Sequence, residues 1–186
     1  MKPLIALCLV IPLLNGCQSM KPQDFARQSP PLDIFEYFLG HTRAWGLFED
    51  RFGNVRRQFT VDIRGQVEDG RLVLQEDFLY SDGEREQRRW TIERAGEGRY
   101  RGRAGDVIGE ALGIAAGNSL NWRYRMALKV GDGHWRVAFD DWMFLQPDGV
   151  LINRARVSKF GIELGTVSLF FMKPGPAQPG AADTSR

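Results

Sequence analysis

The segment FDDWMFLQPDGVLINRARVSKFG, from Phe139 to Gly161, predicts two β-strands joined by a tight turn. The turn is the sequence QPDG, in which the proline presets φ and the glycine accepts a positive φ. Asp140 and Asp141 directly precede an apolar run that begins at Trp142. An unpaired buried carboxylate is costly, so we expect partners on the returning strand. The candidates there are Asn153, Arg154, Arg156 and Lys159.

The same strand pattern extends through most of the chain. It is clearest in LNWRYRMALKV, residues 120–130, where apolar side chains occupy every second position. Between Thr42 and Phe171 such runs alternate with turn signals, and only residues 106–117, with a glycine at every fourth position, favour a bent strand or irregular chain. Strands with one apolar face close on themselves to remove their edges. We therefore predict an all-β fold, a single antiparallel up-and-down β-barrel of nine or ten strands.

The segment LDIFEYFL, residues 32–39, is the exception to this pattern. Leu32, Phe35, Phe38 and Leu39 recur at helical spacing, and Asp33 is placed to cap the first turn. The spacing predicts a short N-terminal helix whose apolar residues plug one end of the barrel.

The N-terminus carries a targeting signal. An apolar run from Pro3 to Leu14 is too short to span a membrane and ends in Leu-Asn-Gly-Cys, which resembles the lipobox of bacterial lipoproteins. We predict a signal peptide over 1–16 and acylation of Cys17, with a plain secreted protein as the alternative. Because Gln18 follows instead of aspartate, we expect an anchor in the outer membrane with the protein on the periplasmic face.

The remaining boundaries and exclusions follow from composition. Residues 17–31 contain three prolines and predict an extended tether, 32–173 form the barrel domain, and 174–186 form a disordered tail. Cys8 leaves with the signal peptide, so the mature chain has no free thiol or disulfide. A net charge of +2 gives no indication of nucleic-acid binding. His41 and His134 lack metal-ligand spacing, no cofactor motif is present, and the sequence leaves the oligomeric state open.

Several polar residues fall on the apolar strand faces and predict a site inside the barrel. With their apolar neighbours, the candidate ligand-binding residues are Glu76, Phe78, Arg88, Trp90, Asp106, Trp122, Met126, Phe139, Asp141, Asn153 and Lys159. The polar members could neutralise one another as a structural network. They could instead hold the head of an apolar ligand such as a fatty acid or phospholipid. In a third interpretation, Glu76 or Asp141 acts as an acid or base while Lys159 or Arg88 stabilises an anion.

These alternatives give three functional hypotheses. The first is an outer-membrane lipoprotein that binds an acyl-chain ligand in its barrel. The second is an enzyme performing acid–base chemistry on a lipid. The third is a structural envelope protein with a filled barrel that binds another protein.

Longer motifs suggest a family. They are FLGHTRAWGLFEDRFG at 38–53, EDFLYSDG at 76–83, RAGDVIGEALGIAAGN at 103–118, FDDWM at 139–143 and NRARVSKFG at 153–161. Together they resemble a family of proteobacterial lipoproteins that is catalogued as a domain of unknown function and has a lipocalin-like, or calycin, barrel. The resemblance implies the fold and the lipidation, and it transfers no catalytic residue.

Overall fold

The computed structural model describes residues 19–131 and 133–174, and within them the chain forms one closed barrel of ten antiparallel strands. Each strand pairs with the next in sequence, and β10 returns to pair with β1. The up-and-down barrel predicted from the alternation is therefore confirmed. The strands are β1 Gly40–Asp50, β2 Val55–Glu68, β3 Arg71–Tyr80, β4 Arg85–Arg94, β5 Arg99–Arg103, β6 Ala111–Ala116, β7 Ser119–Val130, β8 Gly133–Leu145, β9 Leu151–Lys159 and β10 Ile162–Met172.

The segment at 139–161 forms most of the β8–β9 hairpin. Asp141 lies opposite Ala155 in the strand register, and the turn closes where the amide of Gln146 donates to the carbonyl of Val150 at 2.8 Å. The ambiguous segment after β5 is irregular as far as Glu110 and then forms the short strand β6.

A single turn of helix, α1 (Ile34–Tyr37), fills one end of the barrel. The carboxylate of Asp33 caps it by accepting from the amide of Phe35 at 2.9 Å, as predicted. The buried side chains in this region are Leu32, Ile34, Phe35, Tyr37 and Phe38. The prediction was wrong for Leu39, which is 54% exposed because the chain leaves the helix there to begin β1.

The two ends of the barrel differ, because α1 fills one and leaves the other open. The closed end holds α1 and the turns β2–β3, β4–β5, β6–β7 and β8–β9, and the mouth holds the other hairpin turns. At the closed end, the hydroxyl of Tyr37 donates to the backbone carbonyls of Phe171 at 3.0 Å and Gly149 at 3.2 Å. A Cβ on Gly65 would lie 1.9 Å from the carbonyl oxygen of Phe38, so β2 and the helix end meet backbone to backbone.

The segment before α1 also packs on the barrel. A 3-10 helix spans Pro22–Phe25, and the Phe25 ring packs edge-on against Phe144 with centroids 5.0 Å apart. The amide of Leu32 donates to the carbonyl of Gly117 at 2.8 Å. The extended tether predicted over 17–31 is therefore wrong for this part, because Phe25 has an aromatic surface to cover. The predicted signal peptide, Cys17 and the tail beyond Pro174 lie outside the described residues.

No helix within the described ranges combines the length and apolar character that crossing a bilayer requires.

Candidate ligand-binding site

The barrel is hollow between α1 and the mouth. A cavity of about 560 Å³ begins at Ile34 and Phe38 and extends to the mouth, where Leu128, Val130 and Trp135 line it and are 38–42% exposed. This volume lies within the range of about 300–1,000 Å³ that is typical of small-molecule sites. A filled barrel, the premise of the structural hypothesis, is therefore wrong.

Most of the sequence-predicted residues converge on this cavity. Strand alternation brings them to one interior surface from β3, β4, β7, β8 and β9. Those that line the cavity are Glu76, Phe78, Arg88, Trp90, Trp122, Met126, Phe139, Asp141 and Asn153.

Asp106 is outside the lining but belongs to the same polar cluster. It lies in the loop between β5 and β6, which crosses β7 through a bridge between Val107 and Met126. One oxygen of Asp106 accepts from Nε of Arg88 at 2.9 Å and lies 2.7 Å from its Nη2. The other oxygen of Asp106 is buried without a hydrogen-bond partner. The internal ion pair therefore forms through a loop, the irregular chain that was one of the two alternatives for this segment.

Lys159 does not reach the interior, and this part of the prediction was wrong. It shares a face of β9 with Asn153, but it is the last residue of that strand and lies at the mouth. Its ammonium group lies 3.9 Å from the centroid of the Trp135 ring, a cation–π contact.

Glu76 is an acid that faces the cavity and has only a distant cationic partner. Its carboxylate lies 3.8 Å from Nη1 of Arg88, and 13% of its side chain is exposed. Burial raises the pKa of Glu76 to about 7, and the positive charge of Arg88 and a hydrogen bond from Trp90 counteract only part of the effect.

Asp141 is the second buried acid, and its partner is Asn153, one of the four candidates that the hairpin sequence offered. The amide of Asn153 donates to its carboxylate and, at 3.2 Å, to the carbonyl of Trp142. Burial raises the pKa of Asp141 to about 7, although hydrogen bonds from Asn153 and Tyr124 act in the opposite direction.

Asp140 faces outward and has a different set of partners. It accepts from Asn121 at 2.6 Å and from Arg123 at 3.3 Å, both on β7. Arg154 and Arg156, the other predicted partners on β9, are exposed on the outer face. The adjacent aspartates therefore separate by strand alternation, one facing the interior and one facing solvent.

Tyr124 is a member of the site that the sequence-based list omitted. It lies between Trp122 and Met126 on the inward face of β7, lines the cavity and stacks on Phe139 with centroids 4.8 Å apart. Burial and the nearby acids raise the pKa of its hydroxyl well above the ordinary value, so the hydroxyl stays protonated and can donate. The alternation of β7 alone could have identified it.

Two residues at the mouth were also missed. Arg57 and Tyr80 line the outer part of the cavity, with the guanidinium carbon 3.4 Å from the ring centroid. The Tyr80 hydroxyl donates to Glu86 at 2.7 Å. Arg57 shares a face of β2 with Val55, Phe59, Val61 and Ile63, and a charge within this apolar alternation was the available signal.

The arrangement supplies ionisable groups in an apolar chamber. With pKa values of about 7, Glu76 and Asp141 can each accept or donate a proton near neutral pH. Across residues 19–131 and 133–174, no group of three histidine, cysteine, aspartate or glutamate side chains is arranged to hold a metal ion.

Comparison with known families identifies the family of the chain. A family model described as "Protein of unknown function (DUF3833)" matches residues 11–173. The chain belongs to this family. The resemblance found in its motifs is thereby confirmed at the level of the family and the barrel. No curated protein matches the chain.

One similar solved structure is a protein of unknown function from the DUF3598 family of Nostoc punctiforme. It matches with a TM-score of 0.55 and 15% sequence identity, over 76% of this chain and 49% of the other. The chain therefore spans about half the length of that protein. At this level of identity the likeness concerns the fold alone.

Proposed function

We propose that this member of the DUF3833 family binds one apolar, acyl-chain-bearing molecule in its barrel while anchored by a lipid to the outer membrane on the periplasmic side. The observation that carries the proposal is the cavity of about 560 Å³ with a mostly apolar lining. The binding step and the anchoring step rest on different residues and have separate tests.

The binding step follows from the chemistry of the lining. Large apolar side chains from β2, β3, β4, β7 and β8 line the cavity, including Phe59, Phe78, Trp90, Trp122, Met126 and Phe139. Each buried methylene of a ligand contributes about 0.8 kcal/mol when it leaves water, so a long alkyl chain gains affinity along this surface. The few polar groups, Glu76, Arg88 and Asp141, lie midway along their strands and would fix the position of a polar end.

A tryptophan substitution that fills the cavity tests the binding step. Val167 lines the cavity, and Val167→Trp should weaken binding of the neutral apolar dye N-phenyl-1-naphthylamine by about tenfold in a fluorescence titration of the full-length protein. The matched control is Val55→Trp, because Val55 is 49% exposed and outside the lining. Equal dye affinity in both variants would argue against a binding cavity. Native mass spectrometry of protein purified in mild detergent should also show a retained lipid.

The anchoring step depends on the sequence around Cys17. Acyl chains on this cysteine would bury enough methylene groups to hold the protein at a bilayer. Intact mass measurement should find an acylated Cys17 at the N-terminus of the membrane fraction. Cys17→Ala should abolish acylation and the membrane association, whereas Cys8→Ala should leave both unchanged. Membrane association of Cys17→Ala at the wild-type level would contradict the proposed anchor.

An enzyme acting on a lipid is the second candidate. It is favoured by the two carboxyl groups, because pKa values of about 7 suit general acid–base catalysis near neutral pH. Incubation with a lipid extract and mass spectrometry of the products separates the candidates. A pure binding protein leaves the lipids unchanged, whereas an enzyme yields a product whose formation stops in Asp141→Asn.

A further inference from the structure

The cavity's interior carries more acid than base. Asp141 is only 6% exposed and approaches from β8, while Glu76 approaches from β3 on another side of the same chamber. Tyr124 lines the chamber as well and donates toward Asp141. Two carboxyl groups therefore border one enclosed space, and the charge of Glu76 is one of the causes that raise the pKa of Asp141.

The positive charge of Arg88 in the interior is already paired with an acid. The guanidinium of Arg88 makes its two short contacts, at 2.9 and 2.7 Å, with Asp106, and Glu76 holds the more distant position at 3.8 Å. One oxygen of Asp106 still lacks a donor. The formal charges of Arg88 and Asp106 cancel. Glu76 and Asp141 are therefore surplus acids, with no further positive charge beside them in the described interior.

Positive groups at the mouth do not alter this balance. Arg57 lines the outer cavity, but its guanidinium binds Glu84 and lies 3.2 Å from Asp82. Lys129 lines the cavity next to the β7–β8 turn and is exposed to solvent. Lys159 is outside the lining, and its ammonium lies against the Trp135 ring at the mouth.

We infer that the polar end of the bound molecule is a hydrogen-bond donor, either a cationic amine or a hydroxyl group, and that a free carboxylate is excluded. This inference deepens the proposed function and rests on it. An ammonium group supplies positive charge to the two surplus acids, and a hydroxyl donates one hydrogen bond to Glu76. Above pH 7, where both acids are largely ionised, a carboxylate brings a third negative charge into an apolar chamber, where like charges repel strongly and are poorly solvated. Among acyl-chain molecules, a free fatty acid is therefore a poor match.

Three ligands with one alkyl chain test the inference. Hexadecylamine, hexadecanol and hexadecanoic acid compete with N-phenyl-1-naphthylamine for the full-length protein at pH 8, where Glu76 and Asp141 are largely ionised. The amine should bind at least about tenfold more tightly than the acid, with the alcohol also ahead of the acid. Acid binding as tight as amine binding would overturn the inference and leave the proposed function standing. If none of the three displaces the dye, the proposed function fails and the inference fails with it.

Two isosteric variants assign the effect to the acids. Glu76→Gln and Asp141→Asn should each reduce the advantage of the amine over the acid by about tenfold, because each removes one negative charge and keeps the side-chain shape. The control is Asp77→Asn, whose carboxylate points outward toward Arg64 at 3.4 Å. An unchanged ratio in both interior variants would overturn the inference. Using two variants keeps the test decisive if one of them does not fold.

Discussion

The closed end and the mouth are built from the same ten strands, yet they differ in what fills them. At the closed end, α1 inserts Ile34 and Phe38, and Phe38 packs edge-on against Phe171 with centroids 5.6 Å apart. Toward the mouth, the cavity stays open as far as Trp135. A ten-stranded barrel encloses more space than its own side chains fill. The comparison shows that one helical turn supplies the missing volume at one end only.

The two regions also differ in their polar groups. Tyr37 at the closed end donates to two backbone carbonyls that belong to the fold. Glu76 and Asp141 face the cavity, and burial holds their pKa near 7, so at higher pH they are charged at a cost to stability. The closed end therefore stabilises the barrel, whereas the acids that face the cavity reduce its stability at high pH.

The largest expected effect is at α1. Phe38→Ala removes a ring that is 5% exposed and should lower the free energy of unfolding by about 3–5 kcal/mol, measured by urea denaturation. The matched control is Leu39→Ala, one residue further along and 54% exposed, with an expected change within about 0.5 kcal/mol. Similar losses in the two variants would contradict the packed helix.

The second effect concerns pH. The Glu76 carboxyl has a pKa of about 7 in the folded protein against an ordinary value of 4.5, so between these values the folded protein binds more protons than the unfolded chain. The free energy of unfolding therefore falls as pH rises through this window, by about 3 kcal/mol from this group. Glu76→Gln should remove that part of the decrease in denaturation curves at pH 5 and pH 8.

The outward acid on the same strand is the control for this pH effect. Asp77→Asn should keep the wild-type pH dependence, because 40% of the Asp77 side chain is exposed to solvent. A Glu76→Gln variant with the wild-type decrease would show that Glu76 is ionised in the folded protein at pH 5.

A glycine pair gives the third comparison. Gly65→Ala places a methyl group 1.9 Å from the Phe38 carbonyl oxygen and should cost about 1–3 kcal/mol, because backbone atoms must move. At the mouth, Gly105→Ala meets no atom within 4 Å and should change thermal stability little. If both variants have the same melting temperature, then β2 does not contact the end of α1 as closely as described.

The smallest expected effect is the loss of stability when one tyrosine hydroxyl is removed at either end of the barrel. Tyr37→Phe leaves the carbonyls of Phe171 and Gly149 without their donor and should cost about 1–2 kcal/mol in chemical denaturation. Tyr80→Phe at the mouth removes a bond to the half-buried Glu86 and should cost less than half as much. The reverse order would assign the stronger polar anchoring to the mouth.

Period-two alternation was sufficient to predict the barrel and much of its interior. It correctly assigned Trp122 and Met126 of β7 to the same surface as Trp90 of β4, because side chains of a strand alternate between its faces. It also placed Asn153 among the four candidate partners of Asp140 and Asp141, since the QPDG turn brings the two strands of that hairpin together.

Features that depend on tertiary packing could not be predicted from the alternation. Asp106 reaches Arg88 from a loop, and loop paths follow no period. Lys159 has the inward parity but lies where β9 ends, so its ammonium turns to Trp135 at the mouth. The docking of Phe25 depends on an aromatic surface formed by Trp142 and Phe144 on the outside of β8, and alternation marks that position only as outward.

Both ends of the described chain leave the barrel on the side opposite its entrance. The N-terminal segment approaches at Gly117, and β10 ends beside α1, where the Lys173 ammonium donates to the Leu39 carbonyl. A surface that holds the protein by this side of the barrel would therefore leave the route into the chamber unobstructed. The same geometry makes immobilised protein suitable for measuring how fast a guest molecule enters and departs.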